Sequence, residues 1–224
     1  MSMAKDKGNI VLVGYVFRYD PAALYFNDQL QSGVIGKLLH ASIECGSYLP
    51  DWRPEQDYRK TSSSLESLGG GVLLELSHEI DYASWFFGPL KEVQARLHQS
   101  TTLETQVEDI AQLLLFSQNS VPIQMHLDFN RRHPKRCCVV QGTDGELLWD
   151  AIAGEVTLST VTEKPFSKTF TFERDYIYRE QLSHFLECLE QGNTPAVSLE
   201  NGINVLKIVE AARNSHNTGE RIRL

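Results

Sequence analysis

The stretch Gly69 to Gly88, GGGVLLELSHEIDYASWFFG, holds the side chains best suited to moving a proton. Imidazole changes charge near neutral pH, which singles out His78. On a helix, residues three and four apart are neighbours, so Glu75, His78 and Tyr82 share a face. Asp81 stands one turn beyond His78 and is placed to orient it. A carboxylate beside an imidazole raises its pKa, and such a pair can give and take a proton near neutrality. The plainer reading is a structural hydrogen-bonded pair. The three glycines let backbone approach a ligand closely, at a helix N-terminus whose N–H groups favour anionic or hydroxyl oxygens. Glu75-x-x-His78 also has the spacing of half a carboxylate-bridged di-metal site, which needs a second Glu-x-x-His and two further glutamates. Glu180 and His184 are spaced by four, so that second copy is lacking and no metal is expected.

Two further groups of reactive side chains bear weighing. The basic run Arg131-Arg132-His133-Pro134-Lys135-Arg136 is short and set in an acidic chain, which argues against nucleic acid. It reads as a solvated strand end, or as an anion clamp centred on Arg132 for a phosphorylated sugar or nucleotide, since guanidinium forks suit phosphate. The cysteines, Cys45, Cys137, Cys138 and Cys188, form no CxxC pair, and adjacent strand residues face opposite ways. Reduced buried thiols in a cytoplasmic protein are expected. No G-x-G-x-x-G, P-loop, G-x-S-x-G or H-E-x-x-H motif occurs.

The elements that position these residues follow from periodicity and turn signals. Apolar Ile10–Gly14 reads as a buried strand. Asp20 and Pro21 open a helix running to Ser32, with Gly33 as its stop. A strand over Lys37 to Tyr48 precedes a long loop, Leu49 to Leu68. The stripe Leu73, Leu76, Ile80, Ala83 and Phe87 predicts a helix over Val72 to Phe87 with its apolar face on the core. From Lys91 to Glu173 short β-like runs alternate with turns such as Asp144-Gly145 and Gly154, which favours antiparallel hairpins. Helices over Tyr176 to Gln191 and Leu199 to Ser215 close the chain. Helix, strands, then helices is the α+β pattern: one large, predominantly antiparallel open sheet with helices packed on one face. With 224 residues and a net charge of −8, the chain can bury a core without disulfides and has no basic surface for nucleic acid. No apolar run has the length of a membrane span, and the N-terminus has no signal-peptide core, so no membrane partner is expected.

Four segments in order, GYVFRYDP, SGVIGKLLHASIECGSYLPDWRPEQDYRK, GGGVLLELSHEIDYASWFFG and YREQLSHFLECLEQGNTPAVSLENGINVLKIVEAARNS, resemble the C-terminal half of the Gfo/Idh/MocA oxidoreductases. The likeness runs from Ile10 to Leu224. SYLPDW followed by DYRK resembles the branch acting on sugars or sugar nucleotides of surface-polysaccharide pathways. The resemblance implies that His78 is the family's catalytic histidine. Glu75 stands near the family's catalytic aspartate, three residues before the histidine instead of four, with Leu74 in the strict position. Tyr15 and Arg18 match a tyrosine-and-arginine segment at the domain junction, and Tyr58 and Arg59 match a loop on the substrate side. Asp81 and Tyr82 join them as candidate substrate contacts. Glu163-Lys164-Pro165 spells the family's lysine motif but comes about 150 residues after Tyr15, where family members carry it before that segment. It reads as a turn.

Family members bind NAD or NADP in an N-terminal Rossmann domain. The resemblance therefore implies that residues 1–14 are a polar stub and the remnant last strand of a missing Rossmann domain. Residues 15–224 are then the substrate-binding and oligomerisation domain of a sugar or sugar-nucleotide oxidoreductase. NAD or NADP is not expected to bind this chain alone, and the chain alone is expected to be inactive. A homodimer or homotetramer through the open sheet face is expected. Two alternatives stand beside this reading. One is a sugar-binding or scaffold module working with a separate Rossmann-domain partner. The other is a cofactor-free lyase or isomerase using His78 and Glu75.

Overall fold

Leu113 and Leu115 point one way from their strand while Gln112 and Leu114 point the other, and this period-two alternation recurs along one nine-stranded sheet. The computed structural model describes residues 9–224. Its strands are β1 (Leu38–Gly46), β2 (Leu90–His98), β3 (Ile110–Ser117), β4 (Pro122–Asp128), β5 (Lys135–Gly142), β6 (Gly145–Asp150), β7 (Glu155–Thr160), β8 (Phe166–Thr169) and β9 (Ile222–Arg223). They lie in the order β8-β7-β6-β5-β1-β4-β3-β2-β9. Every pairing is antiparallel except β1 with β4. Ile43, Leu115, Ile123, Met125, Val140 and Leu147 are buried on one face, whereas Gln94, Gln112, Gln124 and Gln141 are exposed on the other. The expected α+β architecture, an open and mostly antiparallel sheet with one covered face, is what the chain adopts.

The helices are α1 (Pro21–Gln31), α2 (Val72–Glu75), α3 (His78–Phe87), α4 (Tyr176–Gln191) and α5 (Leu199–Thr218). Local chemistry sets their ends. Asp20 caps α1 by accepting from the N–H groups of Ala22 and Ala23 at 2.7 and 3.1 Å, ahead of Pro21. Ser198 and Asn201 form a reciprocal capping box on α5, and Gly219 closes that helix in the left-handed region. Trp149 anchors the covered face, ringed by Tyr82, Phe17, Phe86 and Phe26 at centroid distances of 5.2 to 6.2 Å. Aromatic pairs of this kind add about 0.5–1.5 kcal/mol each beyond simple burial.

Two expectations change in the structure. The helix expected over Val72 to Phe87 is two helices, broken at Leu76 (φ −102°, ψ 31°) and Ser77. The amides of Ser77 and Glu79 bond three residues back, at 3.3 Å each, and tighten the chain across the break. The segment 10–14 adds no strand to the sheet. Leu12 makes an isolated bridge with Ser198, and the Val13 N–H donates to the Val197 carbonyl at 3.0 Å. Most of the expected polar stub, residues 1–8, lies outside the described residues.

Candidate active site at the start of helix α3

His78 opens α3 with its ring wedged edge-on between Tyr15 (centroids 5.2 Å, 81°) and Phe17 (5.6 Å, 89°). The aromatic walls come from the segment Gly14–Tyr19, whose four-residue 3-10 turn, Val16–Tyr19, carries Phe17 and Arg18. The His78 Nδ1 is buried with no hydrogen-bond partner, an uncommon state for an interior polar atom. Burial holds the imidazole below its ordinary pKa; the neighbouring Glu79 opposes that and Arg136 reinforces it. Asp81 does raise the imidazole pKa, as expected, but burial outweighs that contribution. Asp81 gives both carboxylate oxygens to Arg18, at 2.9 Å each, and is 2% exposed. A carboxylate held in a bidentate guanidinium pair has its charge matched there and does not orient the imidazole.

Tyr15 and Arg18 therefore do different jobs. The Tyr15 hydroxyl reaches the Ser77 Oγ at 3.5 Å, and burial raises its pKa. Tyr15, Ser77 and His78 thus meet at the break between α2 and α3. Arg18 is fixed one turn further along, paired to Asp81 and with its guanidinium 5.2 Å from the Trp85 ring. A cavity of about 440 Å³ opens there, lined by Arg18, Asp81, Trp85, Asn201, Asn204 and Lys207 among others.

The structure separates the remaining candidates. Glu75 accepts from the Ser63 Oγ at 2.8 Å and ends α2, one turn before His78, whose pKa its charge raises. Tyr82 is fully buried between Phe17, Phe86 and Trp149, with its hydroxyl unpartnered, and burial drives its pKa well above the ordinary phenol value. It is a core residue, because the aromatic cluster encloses it. Ser63 and Tyr58 line one small hollow in the loop after β1, together with Leu49, Trp52, Arg53 and Thr61. The Tyr58 hydroxyl accepts from the Glu104 N–H at 3.1 Å. Arg59 is half-exposed and paired to Asp57 at 2.8 Å and Glu104 at 3.4 Å.

The glycines and the basic run also differ from expectation. Gly71 (φ +113°) packs against the Glu108 carboxylate, while the N–H groups of Val72 and Leu73 point at the Glu108 carbonyl (3.0 Å) and Oε1 (3.4 Å). The chain's own glutamate occupies the helix end where an external oxygen was expected, and α2 is only four residues long. In the basic run, Arg131 pairs with Asp128 and Glu44, Lys135 with Glu44, and Arg136 with Glu79. Arg132 lies flat over Tyr48, its guanidinium carbon 3.4 Å from the ring centroid. Acidic neighbours on β1, β4 and α3 pair with Arg131, Lys135 and Arg136, whereas Arg132 stacks on Tyr48.

Sequence reasoning missed Glu79. It is 0% exposed and its Oε1 takes the Arg136 Nε at 2.7 Å; the same guanidinium reaches the Cys45 Sγ at 3.2 Å and packs 4.6 Å over Phe17. Burial is the largest influence on the Cys45 thiol and pushes its pKa up. The signal was present: Glu79 follows Leu76 by three and precedes Ala83 by four, which puts a charge in the apolar stripe and calls for a buried partner. All four cysteines are buried free thiols. Among the described residues, no group of three or more His, Cys, Asp or Glu side chains could hold a metal ion, and no helix is long and apolar enough to cross a membrane.

Comparison with known proteins assigns the chain. Residues 27–224 match the family model of the Gfo/Idh/MocA oxidoreductases described as "Oxidoreductase family, C-terminal alpha/beta domain". Scyllo-inositol 2-dehydrogenase (NAD(+)) of Bacillus subtilis (strain 168) is 25% identical over 230 residues, covering 98% of this chain and 64% of its own length. Among solved structures, an aldose-aldose oxidoreductase from Caulobacter crescentus, complexed with glycerol, superposes with a TM-score of 0.86 at 19% identity. That match covers all of this chain and 66% of the other. A levoglucosan dehydrogenase, in complex with NADH and levoglucosan, gives 0.87 at 16% identity, with 98% and 68% covered. The chain thus spans about two thirds of the length of the proteins it matches. With nearly its whole length in that one match, this chain belongs to the Gfo/Idh/MocA oxidoreductase family, as its C-terminal α/β domain.

Proposed function

We propose that this domain forms the substrate side of a nicotinamide-dependent sugar or polyol oxidoreductase, with His78 as the group that exchanges a proton with the substrate oxygen. The observation that carries this is the His78 ring: half-buried between two aromatic edges, with a buried Nδ1 left without a partner. An imidazole kept neutral by burial is ready to accept a proton from a hydroxyl as that hydroxyl carbon is oxidised. Tyr15 and Ser77 supply hydroxyls beside it. Relatives named as dehydrogenases of inositol and levoglucosan, and complexes with NADH, support the substrate class and the cofactor.

The described residues do not fit the dinucleotide itself. The one parallel strand pair, β1 with β4, is not part of a glycine-rich βαβ unit that could cradle a pyrophosphate. The dinucleotide is then held by another domain, corresponding to the third of the relatives' length that this chain does not span. Association of copies through the open sheet face belongs to the same proposal.

The test joins the N-terminal third of the Bacillus subtilis relative to this chain and measures NADH formation from NAD+ with scyllo-inositol and with levoglucosan. The joined protein should turn over at least one of them, and His78→Ala should lower kcat by about 100-fold or more, the usual weight of a general base. Full activity in the His78→Ala variant would remove His78 from the chemistry.

A further inference from the structure

A buried ion pair lies against the candidate base. Glu79 follows His78 on α3 and is fully buried, and its Oε1 accepts from the Arg136 Nε of β5 at 2.7 Å. The guanidinium packs 4.6 Å over the Phe17 ring, and the same ring meets the His78 imidazole edge-on at 5.6 Å. Arg136 and His78 therefore share one aromatic wall. A buried ion pair adds little to stability over apolar side chains of the same volume, so its place beside an imidazole calls for a second reason.

The charges around His78 supply one. Burial acts most strongly against a charge on this ring; Glu79 favours that charge, Arg136 opposes it, and Asp81 and Glu75 favour it less strongly. Two of the three carboxylates are occupied elsewhere. Asp81 is matched by Arg18 in two bonds of 2.9 Å, and Glu75 on α2 accepts from the Ser63 hydroxyl. Tyr15, from the segment before α1, and Cys45, on β1 against Arg136, are both held uncharged by burial. Glu79 keeps one buried oxygen, Oε2, without a partner, and it adjoins an imidazole whose buried Nδ1 also has none. An unmatched carboxylate in a low-dielectric interior stabilises a cation beside it. Without Arg136, balancing Glu79 falls to His78, and an imidazolium has no lone pair left to take a proton.

We infer that Arg136 is a positioning residue for the base: by holding the Glu79 carboxylate, it keeps His78 uncharged and free to take the substrate proton. This deepens the functional reading above and rests on it for the role of His78, but the charge relation is measurable without turnover.

The experiment follows the His78 ring nitrogens against pH by two-bond proton–nitrogen NMR in the chain alone, with the His78 signals identified by their loss in His78→Gln. In Arg136→Gln the His78 midpoint should rise by about one pH unit or more, the size expected of a nearby unmatched carboxylate. In Glu79→Gln, which leaves the cation in place, the midpoint should fall below that of the wild type. A merely structural pair would not give opposite signs, since loosening lets water reach the ring and raises the midpoint toward about 6.5 in both variants. Any other pattern, no movement or a rise in both included, overturns the inference. If Arg136→Gln does not fold, Glu79→Gln decides alone: a lower midpoint supports the inference, and an equal or higher one overturns it. Activity of the joined protein is scored separately, so that a failure of the functional reading is not mistaken for a failure of this one.

Discussion

Helices α3 and α4 are both amphipathic, yet α3 buries seven of its ten residues and α4 two of its sixteen. The interior around α3 pairs its buried charges: Glu79 has Arg136, and Asp81 has Arg18, while the Glu79 Oε2 and Tyr82 hydroxyl have no hydrogen-bond partner. Along α4, by contrast, apolar side chains stand in water. The contrast separates two sources of order. One helix is fixed by contacts within the domain, and the other presents an apolar face that the domain leaves exposed. His78 stands between the two regimes, with aromatic walls provided and one nitrogen unmet.

Paired substitutions sharpen that comparison. Phe86→Ala, at a residue 2% exposed in the aromatic cluster, should destabilise the domain by about 3–5 kcal/mol, whereas Leu186→Ala on α4 should stay within about 0.5 kcal/mol in the isolated chain. Urea unfolding measures both. Equal losses would mean that α4 is as integral as α3, and the contrast would collapse.

Next in size is the buried ion pair. Glu79→Ala leaves the Arg136 guanidinium without its partner and should cost about 3 kcal/mol, while Glu79→Met with Arg136→Met should recover most of that loss. If the double variant is no better than the single one, the pair supports the fold through more than its matched charges.

A smaller effect is expected from pH. Burial sets the native pKa of His78 below its unfolded value, which is about 6.5 for a free imidazole. The unfolded chain then holds more protons over the interval below that value, so this contribution is complete above about pH 6.5 and declines as pH falls through it. Unfolding free energies between pH 5 and 7.5 should show a shallower slope in His78→Gln than in the wild type. A steeper slope would give the shift the opposite sign. Smallest of all is Tyr82→Phe, which removes a buried hydroxyl that has no partner and should leave stability within about 0.5 kcal/mol or raise it slightly.

Local signals were legible in the sequence. Asp20-Pro21 opened α1 as expected, the alternation in the strands gave the sheet, and Glu163-Lys164-Pro165 lies in the exposed link between β7 and β8. The site was less legible because its decisive contacts join distant residues. Arg18 and Asp81 are 63 apart, Arg136 and Glu79 are 57 apart, and Glu108 reaches Leu73 across 35. Spacing along one segment suggested Asp81 for His78 and a free helix end at the glycines. Partners from elsewhere in the chain satisfied both first. The break at Leu76 was not legible either, and the residue before it, Glu75, is bonded to Ser63 in the preceding loop.

The central proposal is that the fold described for residues 9–224 does not itself hold the dinucleotide. Calorimetric titration of NADH into the chain alone tests it most directly. No saturable heat is expected for the isolated chain. Saturable one-to-one binding of NADH by these 224 residues would contradict the account.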